Sequence, residues 1–242
     1  MRRDRSEGAG FVGVLGRPAV GGAFADVIRV IVSAAESDRE VSDDERERIE
    51  SVRVGSVRAR RSSDAFSGTS VDWFQNGRSV LLIGPRDKGD VVLDVARRVR
   101  LDGATAAETR VEGTPAGYVA IGSWRISGFA SDTAGLSATD PRGIAFDLMV
   151  QVVPAESSSL AAFTIGTELR PVRVRGREGF LATDVSRVRD LEITSRSVAW
   201  FEADGVMVRA SGTQMPEPDL LRLVESLESV SEAEFLAFGE AR

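Results

Sequence analysis

A chain of 242 residues is long enough to bury one large core or two small ones. Its 28% charged and 42% apolar residues are the balance of an ordinary folded protein, which excludes extended disorder away from the ends. A net charge of −6 speaks against a general nucleic-acid binder, and the lack of any His or Cys removes the commonest general base, the commonest metal ligand, thiolate chemistry and disulfides.

Of the 31 basic residues only Lys88 is a lysine, and Asn76 is the only asparagine, a bias that points to a GC-rich coding sequence. No run of 18 apolar residues occurs, so no membrane-spanning helix is expected. Met1-Arg2-Arg3-Asp4-Arg5 has the charge of a leader peptide, but the apolar stretch at 11–15 is short and broken by Arg17 and Pro18. The N-terminus is therefore read as folded.

Gly8-Ala9-Gly10-Phe11-Val12-Gly13 spells the dinucleotide-binding spacing. It follows a charged tail rather than a strand, and no helix or acid stands at the right distance, so the spelling is read as chance. Gly10 to Val14 resembles Gly117 to Ile121, and Asp26 to Val32 resembles Asp147 to Val153. The density of Val and Ile in 23–35 favours a strand over a helix. The charge run at 42–48 reads as a solvated loop or one or two helical turns. Val52, Val54, Val57 and Ala59 then alternate with Arg53, Arg58 and Arg60, the period of a strand with one wet face; the counterpart begins at Val172-Arg173-Val174-Arg175-Gly176.

The strongest likeness joins Ser70 to Arg78 with Ser197 to Gly205. Each reads as strand, two-residue turn, strand, then helix. Asn76-Gly77 and Asp204-Gly205 supply the positive φ angles of a tight hairpin, and Asp90 and Asp219 stand where they can cap the helices at 90–100 and 219–228. The small and polar residues between them, with Gly103, Gly113 and Pro115, read as a linker. Further strands are expected near 117–128, 145–153, 160–165, 170–175, 179–183 and 191–194. Ser231-Glu232-Ala233-Glu234 has the capping-box pattern of a last short helix through Phe238. The expectation is an α+β fold of two pseudo-equivalent repeats, each an antiparallel β-sheet followed by a packed C-terminal helix. Their bounds are 8–101 and 117–242, with the linker at 102–116.

No nucleophile elbow, phosphate loop or zinc spacing appears, so no catalytic residue, cofactor or metal ligand is expected. Trp73 and Trp200 are read as core anchors, since an aromatic recurring at one place in similar strands buries a large apolar area. With Gly77, Gly205, Asp90 and Asp219 they form the expected set of structural anchors. Asp72, Glu202 and Asp204 lie on or beside the hairpin turns and read as turn and surface charge. The arginine stripes Arg53, Arg58, Arg60, Arg61 and Arg170, Arg173, Arg175, Arg177 read as solvated strand faces, with an anionic partner as the alternative.

The pattern Val172-x-Val174-x-Gly176-x-x-Gly179, then Val198-x-Trp200-x-Glu202-x-Asp204-Gly205, then Asp219-Leu220-Leu221 with a helix ending in Ser226-Leu227, resembles domains of unknown function. Those domains occur in extracytoplasmic portions of actinobacterial membrane proteins and in anti-sigma and sporulation accessory proteins. The resemblance implies packing motifs rather than chemistry, and an extracytoplasmic setting; the lack of a leader points to the cytoplasm if Met1 is the true start. The leading expectation is a non-enzymatic sensing or interaction module of a bacterial protein, envelope-associated by resemblance. Its expected partner is a protein, with no nucleic acid. The alternative is a carrier holding a small apolar ligand between sheet and helix. A hydrolase using Asp147 or Glu168 is the third reading.

Overall fold

The structure is a computed structural model that describes residues 2–6, 10–34, 49–64, 68–103, 105–126, 131–139, 145–152, 166–188, 191–203 and 206–228. Among the described residues, sixteen strands appear in chain order: β1 (Arg2–Ser6), β2 (Gly10–Pro18), β3 (Phe24–Ala34), β4 (Ile49–Val54), β5 (Val57–Asp64), β6 (Gly68–Gln75), β7 (Arg78–Gly84), β8 (Val99–Leu101), β9 (Thr109–Val111), β10 (Val119–Ile126), β11 (Ser131–Thr139), β12 (Ala145–Val152), β13 (Glu168–Val174), β14 (Arg177–Val188), β15 (Leu191–Ala203) and β16 (Val206–Thr213). Helix α1 (Gly89–Arg98) follows β7, and α2 (Glu217–Glu225) follows β16.

Fourteen of the strands join one antiparallel sheet, ordered β1-β11-β12-β16-β15-β14-β13-β3-β7-β6-β5-β4, with β2 on β3 and β10 on β2. This corrects the α+β expectation. Two sheets each closed by its own helix do not form; the described fold is mostly antiparallel strand, with only two short α-helices among the described residues. The sequence likeness led to the wrong class because it tracks hairpins, whereas fold class depends on how the strands between them pair. The likeness of 10–14 to 117–121 also has a different meaning. Those two segments mark strands that lie side by side, with Trp124 opposite Val12 and Val119 opposite Gly16.

Local chemistry explains the elements. Asn76 (φ 53°) and Gly77 (φ 70°) form the two-residue turn between β6 and β7, the left-handed pair that matches strand twist. The β13–β14 turn uses Arg175 (φ 52°) and Gly176 (φ 75°). Val27, Ile28, Val30 and Val32 are at most 1% exposed, which is why this β-branched run is a central strand. The apolar stripe Val92, Val95 and Ala96 of α1 packs with Trp73, Val71, Val80, Leu82, Val30 and Val54 in the largest core cluster. Ala106 and Tyr118 join the same cluster. The segment 102–116 therefore contributes to the core through Ala106; it also carries β9, which pairs with β8, and a 3-10 turn at Ala106–Glu108. A second cluster unites Trp200, Val198, Val174, Val208 and Ala210 with Leu220 and Val224 of α2.

The helix-free faces meet in a third cluster of Val14, Val27, Leu169 and Ala182, flanked by Val12, Phe24, Ile121 and Phe180. Strand β3 and β13 join the two ends of the sheet through the pair Leu169 and Phe24 and a bond from Val27 N to the Thr167 carbonyl at 2.9 Å. The expected strand at 160–165, the helix at 231–238 and the charge run at 42–48 lie outside the described residues. No described helix is long and apolar enough to cross a membrane.

Candidate functional site

Where the two helix-free faces meet, the interior turns polar. Arg29 lies on β3 between Val14 and Ile83 and is 8% exposed. Its Nη1 donates to the Gly166 carbonyl at 2.8 Å, while Nε and Nη2 are buried without a hydrogen-bond partner. Burial lowers its pKa to about 10, with the Asp184 charge opposing that shift and Arg209 adding to it. Burial also raises the Asp184 carboxyl above its usual range, against a Thr167 side-chain hydrogen bond and the Arg29 charge. A buried guanidinium with two idle donors costs stability. What it secures is a tie between β3 and the segment leading into β13.

A second cluster gathers beside the end of β2. Asp26 adopts a positive φ of 51°, accepts from Arg17 Nη1 at 2.8 Å and lies 3.8 Å from Lys88 Nζ. Tyr118 is buried nearby with its hydroxyl unpartnered. Burial raises the phenol's pKa, Asp26 and Asp87 add to the shift, and Arg17 opposes it. That direction disfavours a phenolate base.

The anchor residues lie in like surroundings. Trp73 faces Val80 across β6–β7 and donates from Nε1 to Gln75 Oε1 at 3.3 Å. Trp200 faces Val208 across β15–β16 and donates to Glu202 Oε2 at 2.6 Å. Glu202 also accepts from Arg175 Nε at 3.1 Å. Arg175 Nη1 reaches the Leu227 carbonyl, and its backbone N–H donates to Glu225 Oε1 at 2.5 Å, so one arginine ties the β13–β14 turn to the end of α2. Asp90 and Asp219 occupy first turns but make no side-chain cap; they pair with Arg61 at 3.2 Å and Arg222 at 3.0 Å. Gly77 sits in its hairpin turn, whereas Gly205 and Asp204 lie outside the described residues.

The basic stripes divide by environment. Arg60 pairs with Asp72, and Arg61 with Asp90 and Glu50. Arg170 pairs with Glu217. Arg53 and Arg58 face each other across β4–β5, and neither has a carboxylate partner among the described residues. They line a surface concavity of about 340 Å³ with Ser51 and Val52. The β13–β14 hairpin carries another, of about 440 Å³, lined by Pro171, Val172, Arg173, Glu178, Gly179 and Phe180.

Of the carboxylates in the hydrolase reading, Glu168 is exposed on β13, and the side chain of Asp147 lies outside the described residues. Among the described residues, no three acidic groups converge as a metal site. Sequence reasoning missed Arg29 and Asp184. For Arg29 a signal existed, one charge inside the run Val27-Ile28-Arg29-Val30-Ile31-Val32. For Asp184 none did, because its burial depends on the opposing face. No protein-family model, no curated protein and no solved structure matches this chain.

Proposed function

We propose that this chain is a non-enzymatic sensing or interaction module of a bacterial protein, with a protein as its partner. One observation carries the reading: how the arginines are used. The buried ones serve architecture. Arg29 bonds the Gly166 carbonyl, and Arg78 bonds the Asp102 and Gly103 carbonyls at 3.3 and 2.5 Å, each fixing one element to another. On the exposed β4–β5 hairpin, Arg53 and Arg58 have no carboxylate partner among the described residues and are offered to solvent and to partners. The bacterial and envelope setting rests on the sequence resemblance alone. The carrier reading draws less support, because Trp73, Val92, Val95 and Ala96 fill the layer between sheet and α1.

The test is turnover. The full chain should give no rate above background on esterase, phosphatase and glycosidase substrates. A rate that disappears in a single acidic variant such as Glu168→Gln would overturn the proposal.

A further inference from the structure

We infer that the outer face of the β4–β5 hairpin binds a phosphoryl group through Arg53, Arg58 and Ser51. The inference rests on the interaction-module reading and names the chemistry that the module recognises.

The register places Arg53 directly opposite Arg58. Like charges at that spacing repel and destabilise a strand pair, so the arrangement favours an anion between them. Ser51 lies on the same face. Its Oγ accepts from Arg58 Nε at 2.8 Å, which orients the guanidinium and leaves both terminal nitrogens of Arg58 without a partner among the described residues. The Ser51 hydroxyl proton remains free to donate. The next two arginines of β5 are already neutralised, Arg60 by Asp72 and Arg61 by Asp90 and Glu50. Positive charge is thereby concentrated on the one pair that lines the concavity.

The similarly built β13–β14 hairpin provides an internal control. Arg173 stands opposite Glu178 there, and Pro171 takes the place beside them that Ser51 holds on β4. That concavity has mixed charge and no hydroxyl. A phosphoryl group suits the first hairpin better than a carboxylate. Three terminal oxygens and a charge near −2 can engage two guanidinium groups and a hydroxyl together, whereas a carboxylate offers two coplanar oxygens and a single negative charge that match one guanidinium fork. The phosphoryl group could be free phosphate or a phosphorylated side chain of the protein partner, one chemistry from two sources. Because the whole chain carries −6, anions gain no general attraction; recognition must be local.

The test is amide chemical-shift mapping of the full chain, titrated at constant ionic strength with inorganic phosphate, phosphoserine or acetate. Saturable shifts confined to residues 51–58 are expected with a phosphate probe, and none with acetate. Arg58→Glu, which copies the charge pattern of Arg173 and Glu178, should weaken binding at least tenfold without moving the unfolding midpoint. Arg173→Ser should leave binding unchanged. Tighter binding of phosphoserine would assign the site to an esterified phosphate, and equal or weaker binding to the free ion. Absence of saturable shifts with both phosphate probes would overturn the inference. So would shifts that persist in Arg58→Glu, or acetate binding as tightly as phosphate. None of these outcomes depends on the turnover assay, so the two proposals fail separately.

Discussion

Arg175 shows how one side chain can justify a strained backbone. A non-glycine residue at φ 52° costs about 1–2 kcal/mol relative to the right-handed region. Here its N–H, Nε and Nη1 reach Glu225, Glu202 and Leu227, bonds a glycine could not all make. Glu202 is the shared acceptor, since Trp200 donates to it as well. Burial opposes its charge, yet hydrogen bonds from Trp200 and Arg175 and the charges of Arg175 and Arg177 hold its carboxyl below the ordinary 4.5. The sign of the pH effect follows. A carboxyl with a depressed folded pKa stabilises above its unfolded pKa and loses that contribution as pH falls through the folded value. Unfolding midpoints should therefore drop as pH is lowered from about 4.5, and Glu202→Gln should flatten this acid limb. An unchanged acid limb in the variant would assign it to other carboxylates. Trp200 itself is 1% exposed against Leu220 and Val224. Trp200→Ala should cost about 3–5 kcal/mol, the usual loss on truncating a buried aromatic, and Trp200→Phe clearly less. Urea denaturation monitored by far-ultraviolet circular dichroism measures both.

At the scale of elements, each helix is held against the hairpin that precedes it, and a glycine sets how closely α1 approaches. A Cβ on Gly84 would lie 2.6 Å from Val92 Cγ2 and 3.1 Å from Ile28 Cγ1. Both neighbours are fully buried, so they cannot swing aside. Gly84→Ala should destabilise by about 1–3 kcal/mol, the range for overpacking a tight core, with loss of amide protection centred on α1. Equal protection in the variant would mean the helix shifts without cost. Elements of this kind were legible in the sequence because their causes are local: the Asn76-Gly77 turn, the alternation in 52–60 and the apolar stripe of α1. The caps were misjudged by position, since Asp90 and Asp219 stand inside the first turns and pair with arginines instead. Pairing was not legible. The resemblance of 10–14 to 117–121 gives no hint that β2 and β10 are neighbours, and nothing near Arg29 in sequence announces Gly166 or Asp184 across the interior.

At the scale of the whole molecule, two edges of the sheet are formed by long-range exchanges. Strand β1, from the start of the chain, pairs with β11 from Arg2 opposite Gly135 to Ser6 opposite Ser131, at the end of the sheet that carries Trp200. Strand β10, more than a hundred residues later, pairs with β2 at the end that carries Trp73. Two edge strands, β1 and β10, thus come from distant parts of the chain, whereas the edge strand β4 pairs with β5, its neighbour in the chain; contacts of the longer separation form late and at high loop-closure cost. The arrangement makes a prediction that local order along the chain would not. Removing residues 1–6 should leave the nearby β2 intact, because its partners are β3 and β10. The damage should appear at β11, which retains only β12 as a neighbour. Native-state hydrogen exchange on the truncated chain should therefore show faster exchange at alternate amides of 131–135, those that face β1, with 10–18 unchanged. A newly exposed edge over residues 131–135 also invites pairing with another chain, so the truncated protein should self-associate at concentrations where the full chain does not, as read by sedimentation velocity. Faster exchange in β2 with β11 still protected would place β1 beside β2 and overturn the exchanged-edge topology.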